Sequence, residues 1–202
     1  MVAKVFDDIL LRGIRSGQVP GRTQAARDWY REQSGLIRKS DVQETKLIRE
    51  MGAERYENRF RLGHMYMFLY DPKHKDTLPF YDRFPLIFPI NKAKGGFLGI
   101  NMHYLPLQLR AKLMDSLYDN VTNERFDETT RLRLTYNTLN AATRFKEFKP
   151  TVKHYLADHV RSRLVYINPT EWDIALFLPT ARFVGASQQT VWKESRKIIR
   201  GR

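Results

Sequence analysis

The chain has 202 residues, of which 42% are hydrophobic and 12% aromatic, so it can build a folded core and is not expected to be disordered. It has no cysteine, which excludes a disulfide framework and thiolate chemistry, and no run of eighteen apolar residues that could cross a membrane. The formal net charge is +13, which predicts a surface that attracts polyanions. The composition therefore predicts a soluble, intracellular protein.

The basic charge is concentrated in the C-terminal part of the chain. Residues 128–202 hold fourteen basic and six acidic side chains, a net charge of +8, whereas residues 65–127 have a net charge of only +1. Such an excess suits contact with the phosphates of a nucleic acid, or with an acidic protein partner. The charge by itself leaves both alternatives open.

Residues 1–62 have the pattern of a helical N-terminal arm. One helix is predicted to follow the break at Pro20 and Gly21, with Thr23 as its cap, and a shorter helix is predicted to end at Gly52. The first of these helices has five residues on one face: Ala26, Trp29, Tyr30, Gln33 and Ile37.

Beyond residue 63 the pattern changes from helical to extended. Three strands are predicted, over residues 65–71, 84–90 and 97–104, and the second of them contains Pro85 and Pro89. Because proline cannot donate a ladder hydrogen bond, that strand is expected at a sheet edge or with a bulge. Helices are then predicted over residues 106–118, 128–145 and 149–162, strands over 163–167 and 173–178, and a last helix over Gln188–Arg200.

This order of elements predicts an α+β fold. We expect a small curved sheet of five strands, SH3-like in form, with an N-terminal helical segment, a three-helix insertion and a C-terminal helix. The predicted domains are a helical arm at 1–62 and an α+β domain at 63–202, with the insertion at about 106–162.

Motifs that would indicate an enzyme are weak. The chain has no phosphate-binding glycine loop and no metal-ligand spacing among its histidines, and Gly96 and Gly99 have apolar residues between them, as in a strand with a glycine turn. Glu147-Phe148-Lys149 has the acid-x-lysine form of a magnesium-dependent nuclease, with Asp119 and Asp127 upstream, but Pro150 follows it directly. We therefore predict a protein that is not an enzyme and has no cofactor and no metal, and keep the nuclease as an alternative.

Two groups of basic residues are the candidate nucleic-acid contacts. In the last helix, four residues recur at helical spacing and form one cationic stripe: Lys193, Arg196, Lys197 and Arg200. The nearby apolar residues Trp192, Ile198 and Ile199 are expected to face the protein body. The second group is a denser patch with few acids: Arg144, Lys146, Lys149, Lys153, Arg161 and Arg163.

Aromatic residues offer a competing kind of nucleic-acid surface. Tyr66, Phe68 and Tyr70 alternate along one strand, and Phe80 and Tyr81 follow closely, as in a stacking platform for single strands. The opposite face of the same strand is apolar too. A strand that is apolar on both faces is usually buried, so core packing is the favoured interpretation.

Several segments resemble a known family of phage proteins. The segments that carry the resemblance are residues 65–75, 78–85, 96–105 and 110–115. Residues 25–30 and 171–179 extend it over most of the chain. In these the chain resembles small virion or genome-associated proteins of T-even-type contractile-tailed bacteriophages, in particular the DNA end protector type. That resemblance implies a protein on packaged DNA termini that shields them from host exonuclease, but it transfers no functional residue.

The expected partners follow from charge and resemblance together. We expect sequence-independent contacts to DNA through backbone phosphates, contacts to other virion proteins and no membrane, with homo-oligomer formation left open. The expected location is the virion, and the host cytoplasm during assembly. A structural neck, portal or baseplate protein without a direct DNA role is the main alternative.

Overall fold

A computed structural model gives the structure of residues 5–121 and 123–200, which form seven α-helices and eight strands. The helices are α1 (Val5–Arg15), α2 (Gln24–Gly35), α3 (Glu44–Met51), α4 (Leu107–Val121), α5 (Glu128–Ala142), α6 (Trp172–Phe177) and α7 (Gln188–Arg200). The strands are β1 (Tyr56–Glu57), β2 (Met65–Met67), β3 (Tyr81–Asp82), β4 (Leu86–Ala93), β5 (Gly96–Asn101), β6 (Val152–Leu156), β7 (Leu164–Ile167) and β8 (Phe183–Val184).

The strands form one antiparallel sheet of six, in the order β1-β7-β2-β4-β5-β6, and a separate pair, β3 with β8. The α+β class is confirmed. The prediction of five strands is wrong. One segment predicted as a helix contains a strand, one segment predicted as a strand is a helix, and β1 adds a short sixth strand to the sheet. The SH3-like form is not confirmed.

The segment predicted as a helix over 149–162 contains strand β6 instead. A short 3-10 helix, Lys146–Thr151, ends at the strand, which pairs with β5 from Ile100 opposite Val152 to Gly96 opposite Leu156. Pro150 lacks the N–H that a continuing helix would need, so the chain leaves the helical conformation there. The predicted three-helix insertion is therefore two helices, α4 and α5, followed by a strand.

The segment predicted as a strand over 173–178 is helix α6. Asn168 caps the preceding 3-10 turn by accepting a hydrogen bond from the Thr170 N–H, and Pro169 begins that turn. Residues Trp172 to Leu176 are all buried. A short segment that is buried on every side, here including the charged Asp173, shows no hydrophobic period, so its sequence does not distinguish a strand from a buried helix.

Strand β4 lies inside the sheet, between β2 and β5, and not at an edge. Its ladder with β5 shifts register between Pro89 and Asn91. Of the two predicted alternatives, a sheet edge or a bulge, the strand has the bulge. The bulge interrupts the regular ladder next to Pro89, which cannot donate a ladder hydrogen bond.

Both faces of the sheet are covered. Met65 and Met67 enter the main hydrophobic core on one face, and Tyr66 and Phe68 enter a second, aromatic cluster on the other, as the alternation of a strand requires. These aromatic side chains are fully buried, so core packing is confirmed for them. Beyond β2 the chain pairs again at Tyr70, opposite Val160, so the sheet curls around the aromatic cluster.

The N-terminal helices pack in the main core. Phe6 of α1 and Tyr30 of α2 belong to the same cluster as Trp172 and Leu176 of α6. Arg31 of α2 binds the buried Asp173 of α6, with 2.6 Å between Nε and Oδ1. The division of the chain at residue 62 stays a prediction, but the two parts share one core.

Candidate nucleic-acid interface

Helix α7 presents most of its cations to solvent. Ser187 begins it by accepting a hydrogen bond from the Thr190 N–H at 3.1 Å. Val191 and Ser195 are buried, and the indole of Trp192 donates to the His103 carbonyl at 2.9 Å. This packing fixes the rotation of the helix.

The cationic stripe of α7 is exposed along its whole length. Lys193, Arg196, Lys197 and Arg200 are all solvent-exposed, as predicted from their spacing. Ile198 was expected to face the protein body, but it is 61% exposed, and the half-buried Ile199 and Trp192 make the contacts instead. Ile198 follows Val191 by seven residues and therefore lies on the same side of the helix, so its exposure is a property of the last turn and not of the rotation of the helix.

The end of α7 packs beside the 3-10 helix Lys146–Thr151. Lys146, Lys149 and Arg200 line a shallow cleft of about 210 Å³ together with Ile198 and Ile199. Two groups of cations that are about fifty residues apart in sequence are thus adjacent. We call the combined surface the cationic face; it consists of Lys146, Lys149, Lys193, Arg196, Lys197 and Arg200.

Most cations of this face have no acidic partner. Lys197 pairs with Glu194 of the same helix at 2.8 Å. Among the residues that the structure describes, the other five cations form no ion pair, although the exposed Glu147 lies between Lys146 and Lys149 in sequence. An unpaired cluster of exposed cations raises the local positive potential.

The remaining residues of the predicted patch lie elsewhere. Arg161 is 3.8 Å from the carboxylate of Asp71, and Arg163 donates a hydrogen bond to the Asn58 side chain. Arg144 is exposed just beyond the end of α5. The structure therefore does not gather all six residues of that patch into one surface.

Lys153 enters a separate cleft of about 530 Å³, which we call the Lys153 cleft. Its walls carry the rings of Phe80, Tyr81 and Tyr104, and its other lining residues include Lys73, His74 and His154. The Lys153 ammonium lies over the Tyr104 ring, 4.1 Å from the ring centroid. Burial lowers the pKa of Lys153 to about 8.

A buried polar network supports this cleft from behind. Asp82 accepts hydrogen bonds from four groups: the His103 ring at 2.6 Å, the Asn101 amide at 3.1 Å, and the backbone N–H groups of Phe84 at 3.1 Å and Arg182 at 3.2 Å. Burial alone would raise the pKa of Asp82, but these partners hold it below its ordinary value. Asp82 is therefore an anion whose charge is already satisfied within the protein.

The same network has the order of a hydrolytic triad. The other His103 nitrogen lies 3.0 Å from the hydroxyl of Thr180, so hydroxyl, imidazole and carboxylate follow one another. Thr180 is only 1% exposed, so this array presents no nucleophile at the surface. Its described contacts connect β3, the 3-10 helix Met102–Tyr104 and the segment before β8.

The acid-x-lysine motif lies in the 3-10 helix Lys146–Thr151, and Asp127 caps α5 through the Thr130 N–H at 2.7 Å. Within residues 5–121 and 123–200, no three His, Asp or Glu side chains lie together as a metal site. In that same part of the chain, no helix is long and apolar enough to span a membrane.

The cleft residues Lys73, His74 and Tyr104 were missed at the level of sequence. Phe80 and Tyr81 were noticed as aromatic residues after β2, but Tyr104 lies more than twenty residues beyond them and Lys153 more than seventy. No local pattern could have joined them. The one available signal was the basic residue Lys153 among aromatic residues on both sides.

An exposed cationic face is a feature that many polyanion-binding proteins share, but it defines no class by itself. Comparison with known families is more specific. The family described as Phage T4 terminal DNA protecting protein matches residues 27–198, which is most of the chain, so this chain belongs to that family. No curated protein and no solved structure matches it.

Proposed function

We propose that the protein binds the ends of linear double-stranded DNA and shields them from exonuclease, with the cationic face contacting backbone phosphates. The observation that carries this proposal is the union of Lys146 and Lys149 with the stripe of α7 in a member of a terminal DNA protecting family. Five unpaired cations on one surface suit the regular spacing of phosphates and require no base sequence.

The test is charge reversal of the α7 stripe, with Lys193, Arg196, Lys197 and Arg200 all changed to Glu. We expect affinity for linear duplex DNA to fall by at least tenfold. The plot of log K against log salt should also flatten, by about 0.9 for each lost phosphate contact. Binding is measured by fluorescence anisotropy over a range of salt concentrations.

A matched control reverses four exposed cations in the N-terminal part: Arg12, Arg15, Arg22 and Lys39. The overall change in net charge is the same, so a loss of binding that depends only on net charge would appear in both variants. If the α7 variant keeps the salt dependence of the unchanged protein, α7 is not the contact.

The protective role has its own measurement. The protein should slow digestion of linear duplex by a double-strand exonuclease, and the α7 variant should lose this effect. A protein that binds DNA but leaves the rate of digestion unchanged would contradict end protection.

We further propose that the protein acts in the virion, next to other virion proteins, and is present in the host cytoplasm during assembly. Leu11 and Ile14 support a second, assembly role, since they lie three residues apart on α1 and are 49% and 59% exposed. Light scattering after size exclusion, with DNA absent, separates the roles. A stable assembly that ignores DNA would favour the structural role.

A further inference from the structure

Lys153 is an unusual cation because its burial is not compensated by an acidic group. Its ammonium contacts the face of Tyr104, and among the residues described here no carboxylate lies within ion-pair distance of it. Asp82 also lines the cleft, but its carboxylate already accepts hydrogen bonds from His103, Asn101 and two backbone N–H groups. A desolvated charge without a partner is unfavourable for folding, and such residues are characteristic of sites that bind a ligand of opposite charge.

The walls of the Lys153 cleft define what that anion is attached to. Phe80 and Tyr81 are half-buried and offer partly exposed rings, whereas Tyr104 is buried beneath them, against Phe80 and the ammonium. Rings of this kind stack on any nucleobase. A cleft of about 530 Å³ also has the size of an ordinary small-ligand site.

The cleft is structurally connected to the cationic face. Lys153 follows Lys149 by four residues, at the point where the 3-10 helix passes into β6. On the other side, Tyr104 belongs to the 3-10 helix Met102–Tyr104, and Trp192 of α7 donates its hydrogen bond to that same helix at His103. The cleft and the cationic face therefore lie on directly connected elements.

Phosphate contacts alone cannot distinguish a DNA end from the interior of a duplex, because the backbone is the same in both. An end differs by its terminal nucleotide. The terminal base is stacked on one side only, so it leaves the helix more easily, and the terminal phosphate is not linked to a further nucleotide. We propose that the Lys153 cleft binds the terminal nucleotide of the DNA, with its base against the partly exposed rings of Phe80 and Tyr81 and its phosphate at Lys153. This inference rests on the proposed function and adds the source of end selectivity.

The experiment compares two forms of one duplex of about 20 base pairs. The first has open, 5′-phosphorylated blunt ends, and the second is closed at both ends by hairpin loops. We expect Lys153→Met to weaken binding of the open duplex about tenfold and to leave binding of the closed duplex within about twofold, measured by anisotropy. The α7 charge-reversal variant should weaken both.

Two controls keep the result interpretable. Lys112→Met removes the same charge from an exposed position on α4 and should change neither affinity. Leu78→Trp fills the cleft from a position that is 42% exposed, so the fold should tolerate it, and it should reproduce the loss on open ends.

The outcomes separate the two proposals. If the unchanged protein binds neither duplex, the proposed DNA binding fails. If it binds both equally well, or if Lys153→Met and Leu78→Trp leave the open duplex unaffected, DNA binding stands and the terminal-nucleotide site is wrong. Competition by deoxyadenosine monophosphate for the open duplex, but not for the closed one, would support the site, and no competition at millimolar concentration would contradict it.

Discussion

Two cations, the buried Arg110 and the half-buried Lys153, show how differently single residues are stabilised in this fold. Arg110 donates to the carbonyls of Leu105, Leu176 and His103 at 2.9, 2.6 and 3.2 Å, and these bonds hold α4 against its neighbours. Lys153 has only the face of Tyr104. Burial lowers the pKa of Arg110 to about 9 and that of Lys153 to about 8, so both charges are unfavourable, but Arg110 is compensated by hydrogen bonds.

This difference predicts that Lys153→Met stabilises the protein at neutral pH. The folded-state pKa is about 8 and the ordinary lysine pKa is 10.5, so between these values the unfolded chain binds more protons and the wild type gains stability as pH rises. The advantage of the variant should be at most about 3 kcal/mol at pH 7 and should shrink toward pH 10. Urea unfolding of both proteins at several pH values measures it.

The comparison with Lys112→Met isolates the effect of burial. Because Lys112 is exposed, the difference in unfolding free energy between Lys112→Met and the wild type should stay constant with pH. A constant difference between Lys153→Met and the wild type from pH 7 to 10 would show that the pKa of Lys153 is not lowered.

At the scale of elements, two glycines decide how closely β5 approaches its neighbours β6 and β4. A Cβ at Gly96 would overlap the Tyr155 backbone carbonyl of β6, and a Cβ at Gly99 would lie 3.0 Å from Ile87 of β4. The two glycines are therefore needed by strand packing and not by a phosphate loop. Because Tyr155 and Lys153 are on β6, the same spacing shapes the cleft.

We predict that Gly96→Ala destabilises the protein by about 1–3 kcal/mol, since the backbone of β6 must move to admit a methyl group. The displacement should also weaken binding of open-ended DNA. The control is Gly35→Ala at the end of α2, where a Cβ would contact nothing and the φ is not positive. That change should be neutral or stabilising by up to about 1 kcal/mol.

Thermal unfolding of the two alanine variants gives the comparison directly. Equal midpoints for Gly96→Ala and Gly35→Ala would mean that β6 is free to shift and that the strand contact is not limiting.

At the scale of the whole molecule, buried ion pairs join distant parts of the chain. Arg31 of α2 contacts Asp173 of α6 at 2.6 Å and Asp115 of α4 at 2.7 Å. Arg55 binds the buried Glu171 in the same region. The N-terminal segment is thus connected to the C-terminal half by charge as well as by apolar packing.

We expect Arg31→Met to destabilise the protein by about 3–5 kcal/mol, because it leaves Asp173 buried without its cation. Adding Asp173→Asn should recover part of this loss, which a double-mutant cycle in urea measures. The exposed Arg22→Met is the control and should change stability by less than about 0.5 kcal/mol. A purely additive double variant would show that the pair does not couple.

Local patterns in the sequence were sufficient for several features. The bounds of α7 follow from Ser187 and the helical period, the exposure of its basic stripe follows from i, i+3 and i+4 spacing, and the burial of Tyr66 and Phe68 follows from a strand apolar on both faces. The concentration of charge after residue 128 is a property of composition alone. The resemblance to phage end protectors was also carried by the sequence, and the family match confirms it.

Only the tertiary structure decided the rest. Residues 152–156 form a strand because β5 offers a ladder that Gly96 lets them approach closely, and residues 172–177 form a helix whose residues 172–176 are all buried. Packing alone brings Lys149 beside Arg200, and Lys153 beside Tyr104. A hydrophobic period in the sequence indicates only which side of one segment is apolar. The partner of that side is set by the free energy of packing distant segments together.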